Sequence, residues 1–165
     1  MTEQEYRSHF ENLAEKHRLI LHSDTNKAFF YIESVDELNE FDEALNLMKS
    51  NVCMLIVASS GEFGDNNSES HVDEQNCEIY ILMRKKSSQR VSDLYSATKE
   101  ILKDCLARTK RDLRANPNPH KHFRFNNIPY QKVGPMNDDW YGYIATVTFT
   151  CPFGYNVNSG TWTDK

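Results

Sequence analysis

Apolar residues near the start of the chain return at helical spacing. Thr2-Glu3-Gln4-Glu5 has the capping-box pattern, with Thr at the cap and Glu three residues on. Tyr6, Phe10, Leu13 and Ala14 follow it, which predicts a helix from about Glu3 to about His17. "LILHS" (Leu19 to Ser23) reads as a short strand or as the end of that helix. "KAFFYIES" (Lys27 to Ser34) is rich in aromatic and β-branched residues and predicts a strand. Ser34-Val35-Asp36-Glu37 forms a second capping box. Leu38, Phe41, Leu45 and Met48 after it place one side of a helix against a core.

"VCMLIVAS" (Val52 to Ser59) is a continuous apolar run, as expected of an interior strand. The next segment, "SGEFGDNNSESHVDEQN" (Ser60 to Asn76), has turn residues, no helical period and strong negative charge. It predicts a long exposed loop, and loops of that length are commonly functional or disordered. "CEIYILMRK" (Cys77 to Lys85) alternates, with Ile79, Ile81 and Met83 on one side. It pairs with the preceding strand as a hairpin whose overgrown tip is the acidic loop. The longest helix runs from about Val91 to Leu113, with Leu94, Thr98, Ile101, Leu102, Cys105, Leu106, Thr109 and Leu113 as its apolar stripe. "ANPNPHKH" then breaks it, since proline cannot continue a helix. Two strands follow, one over about Phe123 to Val133 with an interruption at Asn126-Asn127, the other over Tyr141 to Cys151. Between them Gly134-Pro135 ends a strand, Asn137-Asp138-Asp139 supply turn chemistry, and Gly142 allows a bulge or close approach.

This order predicts a single α+β domain over residues 1–153, a mostly antiparallel sheet with helices packed on one face. Residues 154–165 form a C-terminal extension.

Charge adds sorting to this picture. The 165 residues carry a net charge of −5. Glu33 to Glu43 holds six acidic residues and no basic one, and Glu62 to Glu78 repeats that count. Arg84 to Arg114 holds ten basic and four acidic residues, with Lys99, Lys103, Lys110 and Arg114 opposite the apolar stripe. Such asymmetry bears on how a surface meets its partners. The longest apolar run is too short to cross a bilayer, so no membrane association is expected. The acidic, amphipathic N-terminus predicts no signal peptide. Cys53, Cys77, Cys105 and Cys151 show no zinc or redox spacing and read as buried small hydrophobes in a reducing compartment.

Candidate chemistry is sparse. His120 and His122 would point the same way from an extended backbone, a geometry that can hold a metal, but a third ligand is missing at short range. An exposed polar loop between prolines fits them better. His9 and His17 read as isolated surface histidines. Asp65, Asn67 and Glu69 share a calcium-loop spacing without its central glycine or flanking helices, so a solvated acidic loop is expected. The lysine stripe reads first as a solvated face, then as a partner for an acidic surface, and last as a nucleic-acid contact. Neither a phosphate loop nor a nucleophile elbow occurs. Asp138 and Asp139 read as turn residues. No catalytic residue, metal or other cofactor is expected, and the protein does not read as an enzyme.

The segment "RFNNIPYQKVGPMNDDWYGYIATVTFTCPF" (Arg124 to Phe153) resembles the last part of small tail-terminator or tail-completion proteins of tailed phages. "SVDELNEFDEALNLMKSNVCMLIV" and "CEIYILMRKKSSQRVSDLYSATKEIL" match upstream parts of that family in pattern, so the resemblance spans roughly Lys27 to Phe153. It implies a virion structural protein, assembled in the host cytoplasm. About six subunits would form a head-to-tail ring that caps the tail tube and joins it to the neck and head. Its partners would be its own copies, the tail tube and neck or connector proteins, with DNA only passing through the lumen. On that reading the acidic loop residues Glu62, Asp65, Glu69, Asp73 and Glu74 face the lumen and keep phosphate from sticking. Lys99, Lys103 and Lys110 meet Glu37 and Glu40 of the next subunit. Trp140 and Tyr141 sit at a rim that a neighbour covers. The extension is either an arm anchored by Trp162 or a disordered chain end. The alternative is a small soluble adaptor or binding domain, or an enzyme with an unrecognised site.

Overall fold

The computed structural model describes residues 3–33, 38–65, 71–115 and 122–153. Nine elements follow one another: α1 (Glu3–Lys16), β1 (Phe29–Ile32), α2 (Leu38–Leu47), β2 (Val52–Asp65), β3 (His71–Arg84), α3 (Val91–Arg114), β4 (His122–Phe123), β5 (Tyr130–Met136) and β6 (Trp140–Phe153). This is the α+β domain with a mostly antiparallel sheet that the pattern predicts. Six strands form one sheet in the order β1-β2-β3-β6-β4, with β5 beside β4 on the same edge of β6. The one parallel pair is β1 with β2, and every other pair is antiparallel.

Strand alternation divides the core into two layers. Met54, Ile56, Cys77, Ile79, Ile81, Tyr143, Ala145, Val147 and Phe149 face α1 and α3, which bring Tyr6, Phe10, Leu13, Ile101, Leu102 and Cys105. The opposite face carries Cys53, Leu55 and Leu82, packed with Ala44, Leu45 and Met48 of α2 and with Trp140. The expectation that helices share one face therefore holds for α1 and α3 and fails for α2. A parallel strand pair needs a crossover, and here the crossover is α2, laid on the face that α1 leaves open.

The largest departure concerns Ser60 to Asn76. Most of the expected loop is strand: β2 continues to Asp65 and β3 begins at His71, paired from Ser60↔Asn76 to Asp65↔His71 after a register shift between Val57 and Ser60. Gly61, Gly64 and the carboxylates lower strand propensity. Pairing of β3 with β6 from end to end, His71↔Phe153 to Arg84↔Trp140, overrides that local preference. "LILHS" is not a strand: residues 17–23 are turn and irregular chain after α1. The strand expected over Phe123 to Val133 splits at Asn126-Asn127 into β4 and β5, both on β6. Both capping boxes include positions outside the described residues.

Gly142 shows why β6 can lie so close to β3. A Cβ there would sit 1.9 Å from the Ile81 carbonyl oxygen, closer than any side chain tolerates. The hairpin from β5 to β6 turns through Asn137 and Asp138, both at positive φ (42° and 67°), which these two residue types accept more readily than most. Gly134 precedes it at φ 124°.

Candidate assembly surfaces

Beyond the row that contains Phe149, the sheet continues with half-buried polar positions on β3. No described side chain of residues 60–65 or 71–76 belongs to either apolar cluster. Here four strands lie side by side, β2, β3, β6 and β4, and their registers define rows across the sheet. One row runs Gly61, Gln75, Phe149, Phe123, and the next runs Glu62, Glu74, Thr150, His122. Strand alternation sends Glu62 and Glu74 to one face and Phe63 and Asp73 to the other. Arg124 forms an ion pair with Glu74, and its backbone N–H donates to the Thr148 carbonyl at 3.0 Å. Thr148 Oγ1 donates to Asn76 Oδ1 at 2.6 Å. Asp73 accepts from Gln75 Nε2 at 2.9 Å. Phe63 is 71% exposed.

The five acidic residues expected to share a lumen are therefore divided. Glu62 and Glu74 stand together, with Glu78 further along the same face of β3. Asp73 points to the other face, Asp65 is placed by its backbone alone, and Glu69 lies outside the described residues. Glu78 accepts from the Tyr80 hydroxyl at 3.0 Å. Burial, with Glu78 adding to it, raises the Tyr80 phenol.

The lysines of α3 each have a partner within the chain. Lys99 Nζ donates to the Tyr130 hydroxyl at 2.9 Å and lies 4.6 Å from the centre of that ring. The hydrogen bond raises the ammonium and lowers the phenol. Lys103 pairs with Glu100 at 2.6 Å, and Lys110 lies over Phe125 at 4.6 Å. These contacts tie α3 to β5 and to the segment after β4. Glu37 lies outside the described residues, as does the side chain of Glu40.

Trp140 is a correction. It is not at a rim but fully buried at 0% exposure, packed in the α2 layer with the Arg84 guanidinium 4.7 Å from its ring centre. It pairs with Arg84 on β3 and turns inward with Leu82. Among the described residues its indole N–H has no hydrogen-bond partner. Tyr141 faces α3, edge-on to Tyr95 at 6.2 Å. Trp162 and His120 lie outside the described residues, and His122 is placed by its backbone alone.

His9 is part-buried between α1 and α3, and the three buried cysteines belong to the core. Thr109 Oγ1 gives its one proton to the Cys105 carbonyl at 2.9 Å. His9 Nε2, 3.1 Å away, is then the donor to Thr109, which links α1 to α3. Burial lowers the His9 imidazole, with Asp112 opposing and Arg108 reinforcing. His17 stands 3.8 Å from Asp104. Cys53, Cys77 and Cys105 are buried and Cys151 is half-buried, none in a disulfide. Burial pushes the Cys77 and Cys105 thiols up to about 12. Among the described residues no group of three His, Cys, Asp or Glu could hold a metal ion. A cavity of about 420 Å³ opens between the end of α1 and α3, lined by Leu13, Lys16, His17, Leu19, Cys105 and Arg108.

Phe63 and Arg124 escaped the sequence reading, because a segment taken as loop offers no strand face to assign. No protein-family model matches the chain, and a comparison with curated proteins gives no match.

Proposed function

We propose that this protein is a ring-forming structural subunit of the tail-completion kind, acting by assembly on the end of a phage tail tube. The observation that supports assembly is the end of the sheet beyond the Phe149 row. Long strands are ordered there although, among the described residues, no apolar cluster lies beneath them, and the Ser60–Phe63 edge is exposed. Strand edges of this kind are liabilities in an isolated chain and useful where another chain covers them. The tail-completion part of the reading draws on the resemblance of Arg124 to Phe153 and the upstream segments. On the face shared by Glu62, Glu74 and Glu78, Glu62 is exposed, while Glu74 is paired with Arg124 and Glu78 accepts from Tyr80. Repeated around a ring, Glu62 would present carboxylates past which DNA phosphate slides without adhering. Negative-stain imaging of the purified chain tests this: closed rings are expected, and monodisperse single subunits at high concentration would contradict it.

The α1–α3 cavity favours a second reading, a small binding domain: Lys16 and Arg18 border it, Asp104 lines it too, and Arg108 is held by Asp112 at 2.8 Å. A monomer that binds a small molecule there would support that reading over the first.

A further inference from the structure

We propose that the surface shared by α3 and β5 binds single-stranded nucleic acid, with its ammonium groups on phosphates and its aromatic rings against bases. This goes beyond the ring reading and does not depend on it.

Placement is the first support. Tyr130 and Lys132 of β5 stand opposite Ala145 and Tyr143, which face α1 and α3. Both side chains therefore lie on the α3 side of the sheet. Glu74 and Glu78 alternate with Cys77 and Ile79 of that side, so their carboxylates belong to the other. Along α3, Tyr95, Lys99, Lys103 and Lys110 fall within an arc of about 80° and a length of about 22 Å. All four acidic residues of the helix, Asp93, Glu100, Asp104 and Asp112, fall outside that arc.

Uncompensated charge is the second. Lys99 Nζ lies 4.6 Å from the Tyr130 ring centre, Lys132 Nζ 4.9 Å from that of Tyr95, and Lys110 Nζ 4.6 Å from that of Phe125. Among the described residues none of these three ammonium groups has a carboxylate partner, whereas Lys103 is held by Glu100. A ring does not neutralise an ammonium, and a cation–π contact at an exposed site is weak. Three positive charges therefore remain for an external anion, in a chain whose net charge is −5.

The rings decide which anion. Tyr130 is 53% exposed, and Tyr95 and Phe125 are half-buried. An acidic protein surface would use the ammonium groups alone. A nucleic acid uses both, because a lysine that turns to a phosphate uncovers a ring face on which a base stacks. A duplex keeps its base faces covered, so the fit is to a single strand.

Fluorescence anisotropy of a labelled oligothymidylate, titrated with the full chain at low salt, tests this. Binding is expected, tighter than to an oligoadenylate–oligothymidylate duplex of the same length. Tyr130→Ala should weaken it roughly 5- to 150-fold. Lys132→Gln and Lys110→Gln should each lower the slope of log affinity against log salt by roughly 0.7. Circular dichroism should be unchanged in all three variants. No binding at low salt overturns the proposal, as does binding that none of the variants alters. Equal affinity for duplex and single strand, with Tyr130→Ala as tight as the natural chain, reduces the surface to a phosphate contact and overturns it too. Tighter binding of labelled polyglutamate than of oligothymidylate assigns the surface to an acidic protein instead. Each of these results leaves the ring reading where it stands.

Discussion

Glu62 and Glu74 stand directly opposite each other on β2 and β3, two carboxylates on one face of the sheet. Arg124 answers one of them from the position just after β4, two strands away from β3. Opposed like charges cost roughly 0.2–1 kcal/mol. Glu62→Gln is therefore expected to raise monomer stability by about that amount, seen as a higher midpoint in urea. Glu74→Gln, which weakens the Arg124 contact as well, should gain less or nothing.

The His9–Thr109 hydrogen bond sets a pH dependence. Burial lowers the imidazole below its ordinary value of about 6.5 in the folded chain. Above that value histidine is neutral in both states and its contribution is complete. As pH falls from there towards the lowered folded value, the unfolded chain takes up a proton that the folded chain resists, and stability declines. Denaturant midpoints between pH 7 and pH 5 should fall less in His9→Gln than in the natural chain.

Trp140 is a load on the core rather than a contact for a neighbour. Trp140→Ala should cost about 3–5 kcal/mol, measured by chemical denaturation, whereas Tyr141→Ala, at a half-buried position, should cost clearly less. Gly142→Ala should be still harder to accommodate, because the added carbon meets the Ile81 carbonyl.

Lys99 and Lys103 separate folding from assembly. Lys103→Glu disturbs an exposed pair with Glu100, the kind worth about 0–1 kcal/mol, and should leave the fold intact. Lys99→Glu removes the bond to Tyr130 and should speed hydrogen exchange in β5. If the basic face of α3 meets an acidic neighbour, Lys103→Glu weakens association without changing the monomer. Unchanged association of that variant would remove α3 from the interface.

Thiol accessibility gives a further check. Cys151 should react with an alkylating reagent before Cys53, Cys77 and Cys105, whose burial disfavours the reactive thiolate. Mass spectrometry of a time course reads the order directly.

Strong periodicity made much of this fold legible. α1 and α3 carry unbroken apolar stripes, β2 begins in a continuous apolar run, and β3 ends in an alternating one. The segment Ser60 to Asn76 hid its strands because Gly61, Gly64 and five acidic side chains, Glu62 to Glu74, mimic loop composition. Its order comes from β6, whose partner residues, Thr148 for Asn76 to Phe153 for His71, lie far away in sequence, beyond the reach of any local pattern. Trp140 misled for a related reason. Asn137-Asp138-Asp139 mark a turn and place the next residue near a rim, but turning inward on the α2 face depends on the crossover, which no local spacing reveals. The lysine stripe of α3 was legible as a face, while the aromatic rings that occupy it, Tyr130 and Phe125, belong to later segments.

The central claim is assembly into a closed ring, and native mass spectrometry of the intact chain tests it most directly. The account predicts one dominant oligomer of fixed subunit number that persists over a range of concentrations. A monomer at every concentration, or an open ladder of sizes without a preferred number, would contradict it.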